Sequence, residues 1–240
     1  MKRVIKRLLG AIPTYSIVPL LVTVLWNQMV YNGSHLIAGG WRHYDITMAW
    51  ENKIPFQPWT ILIYFGAFLF WIGLYIYCAC QEKEKAHRLL CADFLGKVVC
   101  LACFLLFPTT NVRPEVAGGG LFAALMRFLY WVDAPVNLFP SIHCLVSWLC
   151  FIGVRRDKKR SLAFKLLVLA GAVAICLSTL TTKQHVFWDV VSGVGLAELT
   201  YWIAGFKPVR ETYSKVAGKL TPQWLVRRRD SSNSQPLPPA

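Results

Sequence analysis

Apolar residues gather along the chain in long runs separated by polar connections: Tyr15 to Tyr31, Trp59 to Ala79, Leu89 to Phe107, Ser141 to Val154, Leu162 to Leu180 and Val186 to Phe206. Each reaches or approaches the ~20 residues a helix needs to cross a bilayer. The expected fold is therefore all-α, a polytopic bundle of six transmembrane helices. The first run follows a basic N-terminus, as a signal peptide would, but Asn27 and Gln28 stand where a cleavage site needs small residues, so it is read as a retained helix. Residues 1–206 form the expected membrane domain. Residues 207–240, basic and ending SSNSQPLPPA, are expected to be a disordered tail.

Composition supports the membrane reading, with 55% of residues hydrophobic and 16% charged. The formal charge of +14 raises nucleic acid as a partner, but the placement of the cations excludes it. On one side fall Lys2, Arg3, Lys6 and Arg7, then Lys83, Lys85 and Arg88, then the cluster from Arg155 to Lys165, then the tail. Opposite lie only Arg42, Lys53, Arg113, Arg127 and Lys183, with Lys97 inside a run. Such asymmetry is a topology signal, and both termini are expected in the cytoplasm. The eight cysteines sit inside or beside apolar runs and read as buried thiols, Cys144 included.

Candidate chemistry collects on the other side, at the expected outer ends of helices. His185 and Asp189 are spaced i, i+4, which puts both on one helical face. A carboxylate there can hold one imidazole nitrogen and leave the other free to attack an electrophile or accept a proton. The plainer reading is an interfacial hydrogen bond. In Pro140-Ser141-Ile142-His143, Ser141 is a good N-cap before an apolar run. Helix N–H groups and the Ser141 hydroxyl then suit a phosphoryl oxygen, and His143 suits proton donation to a leaving group. Arg113 can grip a phosphate with two parallel hydrogen bonds and Lys183 adds a point charge, although each could instead snorkel to headgroups. The run from Ser141 to Val154 spans only ~21 Å at 1.5 Å per residue, so Ser141 and His143 are expected to lie recessed in a ~30 Å core. Zinc on His143, His185 and Asp189 has no further ligand motif in support, and Lys183 would repel it. No cofactor and no metal is expected. Within the membrane, Lys97 and Glu198 count to similar depth from opposite ends and are expected to pair.

These segments resemble the type 2 phosphatidic acid phosphatase superfamily, whose signature is KxxxxxxRP, PSGH and SRxxxxxHxxxD. The resemblance runs through most of the chain after about Trp41. It implies that His185 is a nucleophile forming a phosphohistidine, that Asp189 orients it, that His143 is the general acid, and that Ser141 and Arg113 bind phosphate. Leu106 stands at the first-motif Lys, Ile142 at the Gly and Thr179 at the third-motif Arg. Lys183 is the expected substitute for the missing cations. FPTTNVRPE and TKQHVFWD are similar to the branch containing inositol phosphorylceramide and sphingomyelin synthases. The resemblance implies a lipid phosphate phosphatase taking a lipid phosphate or pyrophosphate, and the lack of an organelle address together with the compact size makes the plasma membrane its expected place. The alternatives are a phosphotransferase to a lipid alcohol and a non-enzymatic lipid carrier.

Overall fold

A computed structural model describes residues 12–225. The terminal cations Lys2 to Arg7 and the end of the tail, 226–240, lie outside the described residues. The first helix, α1 (Thr14–Gln28), continues through a wide π turn at Met29–Gly33 into α2 (Ser34–Ala38). A connection then folds over the end of the bundle. It carries the strand β1 (Tyr44–Asp45) and one-turn 3₁₀ helices at Ala49–Lys53 and Pro58–Thr60. There follow α3 (Ile61–Ala79), α4 (Lys83–Leu106), the strand β2 (Thr109–Thr110), α5 (Leu121–Val132), α6 (Ile142–Arg155), α7 (Leu162–Thr181), α8 (Phe187–Ile203) and α9 (Lys207–Leu220). Tyr44 and Asp45 pair in parallel with Thr109 and Thr110, tying the connection to the chain beyond α4.

Among the described residues, three helices are long and apolar enough to cross a membrane: Pro58–Ala79, Lys83–Leu106 and Leu162–Thr181. Their outward faces carry large exposed apolar side chains, including Leu62, Leu69, Ile72, Leu166 and Leu167. The short helix α6 packs against α3, α4, α7 and α8. Its residues from Cys144 to Val154 are buried except Trp148, so it is the core around which the others stand. Most of its apolar surface meets protein, and its 14 residues suffice for that.

Hydrogen bonds between distant segments sort the connections to two ends of the bundle. At one end Gln57 N donates to Thr181 O (2.9 Å) and Ser141 N to Asp189 O (3.0 Å). At the other, Ser16 Oγ donates to Ala79 O (2.8 Å), Tyr15 Oη to Gln81 O (2.6 Å), and Arg210 pairs with Glu84. The start of α1 and the first turn of α9 therefore lie at the second end.

Two readings of the sequence are corrected, and one further helix joins the expected set. The segment 121–132 is a helix, α5, which buries Ala123, Met126 and Leu129 and leaves Phe128 and Trp131 exposed. The tail read as disordered forms α9 over Lys207–Leu220, where Val209, Tyr213 and Ala217, spaced four apart, turn inward. Lys97 and Glu198 do not pair. Lys97 Nζ donates to Asp93 Oδ2 at 2.8 Å, one turn back on its own helix, and to Thr23 O at 3.4 Å. Glu198 accepts from both Nη atoms of Arg155 (3.0 and 2.9 Å) and from Trp148 Nε1 (2.8 Å). Each charge finds a partner that demands less reach than the pairing across the bundle.

Candidate active site

The turn between α7 and α8 positions its chemistry through backbone hydrogen bonds. The Gln184 N–H donates to Thr179 O (2.9 Å) and the Lys183 N–H to Leu180 O (3.2 Å), the two bonds of a Schellman motif. Lys183 occupies the left-handed position, with φ of 54°, where glycine or asparagine is usual. Its ammonium explains the exception in part, donating to Ile54 O at 2.7 Å and Glu51 O at 3.3 Å and fastening the overlying connection to the turn. Burial pushes the Lys183 ammonium down from its ordinary value, and the Glu51 carboxylate opposes that shift.

Two carboxylates then start α8. Asp189 Oδ2 accepts from Val186 N at 2.9 Å, and Glu51 Oε2 from Phe187 N at 2.7 Å, so both hold first-turn amides and complement the positive helix end. The same Asp189 Oδ2 lies 3.3 Å from His185 Nδ1. Asp189 is fully buried and His185 is 8% exposed. The interfacial role and the orienting role fall to one carboxylate, since the cap fixes Asp189 and Asp189 in turn fixes the ring.

α6 brings the second imidazole. Ser141 caps it, its Oγ accepting from Cys144 N at 3.3 Å, and its own N–H is anchored on Asp189 O. His143 stacks on Tyr64 (4.6 Å between ring centres) and leans on Trp71 (5.2 Å), whose Nε1 donates to Ser147 Oγ. The His143 and His185 rings stand 5.7 Å apart. Gly193 permits this approach of α6 and α8, because a Cβ there would meet Ser141 O at 2.5 Å. Gly193→Ala is expected to destabilise the protein by roughly 1–3 kcal/mol, as forced overpacking does. Gly195→Ala, where nothing stands within 4 Å, is expected to leave stability nearly unchanged. Thermal unfolding of the two variants in detergent checks the contrast.

Arg113 reaches the site from the chain beyond β2. One Nη donates to Asp133 O and the other to Gln184 Oε1 (2.6 Å), and the guanidinium lies over the Tyr130 ring at 4.9 Å. Two buried donors here, Arg113 Nε and Gln184 Nε2, have no acceptor among the described residues. A cavity of about 400 Å³ opens at this end, walled by Glu51, Ile54, Asn111, Pro114, Lys183 and His185, and Arg113 and Gln184 stand behind its wall. His143 lies outside that cavity's wall, toward Tyr64 and Trp71.

All six sequence candidates thus fall at one end of the bundle. His143, His185, Asp189 and Ser141 form a contiguous set, Arg113 joins it through Gln184, and Lys183 is turned toward the overlying connection. Leu106, at the first-motif lysine position, is 84% exposed, while Thr179 is buried and its carbonyl takes Gln184 N and His185 N. Glu51, Gln184, Tyr64 and Trp71 were not anticipated. Glu51 carried a weak signal as one of few acids on its side, whereas Tyr64 and Trp71 are indistinguishable from other aromatics of an apolar run. A family model described as the PAP2 superfamily matches residues 48–203, which hold every one of these side chains. No curated protein and no solved structure matches the chain. That match covers more than half of the sequence and includes the paired histidines, so the chain belongs to the PAP2 superfamily, the type 2 phosphatidic acid phosphatases that its motifs resemble.

Proposed function

We propose that the protein is an integral-membrane lipid phosphate phosphatase working through a phosphohistidine on His185. The observation that carries this reading is the 5.7 Å approach of two imidazoles from different helices, one of them held at Nδ1 by Asp189. Both rings can then reach substituents of one tetrahedral phosphorus. Asp189 keeps the proton on His185 Nδ1, and Nε2 attacks phosphorus. The bond to the alcohol oxygen breaks as His143 supplies that oxygen with a proton. Water then enters where the alcohol left, gives a proton to His143, and displaces His185 from phosphorus.

Family membership supports phosphoester chemistry, and the surroundings support its direction. The alcohol would leave on the His143 side, toward Tyr64, Trp71 and the exposed Phe68, a surface suited to lipid. Phosphate oxygens would face Ser141, the unpartnered donors Arg113 Nε and Gln184 Nε2, and the third N–H of Lys183. Metal plays no part in this scheme. The proposed topology has six spans, with α1–α2 first and α6 and α8 recessed, both termini cytoplasmic and the site facing out from the plasma membrane. The charge asymmetry supports it, as does the placing of the start of α1 and the first turn of α9 at one end of the bundle.

A panel of lipid phosphates and pyrophosphates, run on purified protein with and without an alcohol acceptor, tests the function. Free phosphate should appear in both arms. Transfer of the phosphate-bearing group to the acceptor, with no free phosphate, would make the protein a phosphotransferase of the sphingolipid-synthase kind. No turnover of any donor would favour a carrier.

A further inference from the structure

At the end of the bundle opposite His185 a second cavity, of about 390 Å³, opens where α3 passes into α4 and where α6 and α8 end. Ser141 and Gly153 mark the two ends of α6, ~18 Å apart at 1.5 Å per residue, so the cavities are separate. The walls carry Lys85, Arg88, Arg156, Lys158 and Arg210. The two acids among them are already engaged, Glu82 with Lys85 at 3.2 Å and Glu84 with Arg210. Asp157, close by in sequence, is turned to Tyr77 and Arg160.

That leaves Arg88, Arg156 and Lys158 with no carboxylate partner among the described residues. Arg88 is fixed in place, with Nε and Nη2 both donating to Tyr201 O at 3.1 Å and its guanidinium 4.2 Å from the Tyr201 ring centre. Arg156 approaches the same ring at 5.9 Å. A topology signal requires cations on one side of the membrane. It does not require them to converge on one cavity, where they repel one another unless an anion joins them.

We infer that this cavity binds a phosphate group, presented by an anionic lipid headgroup or as free phosphate. The Arg156 fork, the Nη1 of Arg88 that Tyr201 does not engage and the Lys158 ammonium together match the oxygens of a phosphate better than a single carboxylate. The inference does not rest on the chemistry at His185.

The test uses the full chain, titrated with inorganic phosphate in detergent and, in nanodiscs, with phosphatidate diluted in phosphatidylcholine. The double variant Arg156→Gln/Lys158→Gln is compared with Lys159→Gln/Lys219→Gln, which removes equal charge from exposed positions outside the cavity. All four side chains are exposed, so folding should be retained, and a melting curve verifies it. The first variant should weaken binding at least about tenfold and the second should leave it near wild type. Loss for lipid and free phosphate alike marks a general phosphate site, and loss for the lipid alone marks a headgroup site. Unchanged binding in the first variant, or equal loss in both, overturns the inference.

Discussion

His185→Ala is expected to lower turnover by at least about 10⁴-fold while leaving the fold intact, because removing a covalent nucleophile leaves only binding and charge stabilisation behind. The fold should survive for a local reason. The start of α8 is held by Asp189 on Val186 N and by Glu51 on Phe187 N, and neither bond involves the imidazole. Asp189→Asn should cost less, about 10³-fold, since an amide can present its N–H to Nδ1 and favour the wrong tautomer. The two variants separate further by trapping. Wild type incubated with labelled substrate and quenched in alkali should retain label on the protein that acid then releases, as a phosphoramidate does. His185→Ala should retain none. Retained label in that variant would move the nucleophile elsewhere, with His143 the next imidazole at 5.7 Å.

How far this site could be read in advance depended on whether a feature was local in sequence. The i, i+4 spacing of His185 and Asp189, the cap at Ser141 and the rarity of Arg113 on its side are local, and the structure brings all of them to one end. Lys183 was read by charge alone. A residue two positions past the end of α7 is a left-handed helix cap, which charge does not reveal, and its ammonium turns to the Ile54 carbonyl. Glu51 lies 136 residues from the amide it holds, a closure that only the folded connection reveals. The helix α5 escaped because 12 residues fall below a spanning threshold, although its apolar face repeats at helical spacing. α9 escaped because its basic residues drew attention from Val209, Tyr213 and Ala217, and Pro208 at its first turn is a helix start as much as a breaker.

The largest effect on stability is expected from a residue with no part in the site. Asp93→Leu should cost about 3–5 kcal/mol, because it strands the Lys97 ammonium among buried neighbours. Lys97 is 2% exposed and Asp93 fully buried, so water cannot replace the lost partner. Asp93 also accepts from Tyr75 Oη at 2.7 Å through its second oxygen, and its loss leaves that hydroxyl unpaired too. Depth counted from helix ends placed Lys97 beside Glu198, which would make Glu198→Gln the damaging change. The structure reverses this ranking: Glu198 and Arg155 are each partly exposed, so their bidentate pair contributes little and Glu198→Gln should be nearly neutral. The double variant Asp93→Leu/Lys97→Met provides the decisive comparison. Removing both charges and keeping similar volume should restore most of the stability lost in Asp93→Leu, since neither group is then buried alone. Unfolding followed in one detergent for all four proteins reads this out. A double variant no more stable than Asp93→Leu would assign the loss to packing around α4 and not to the charge.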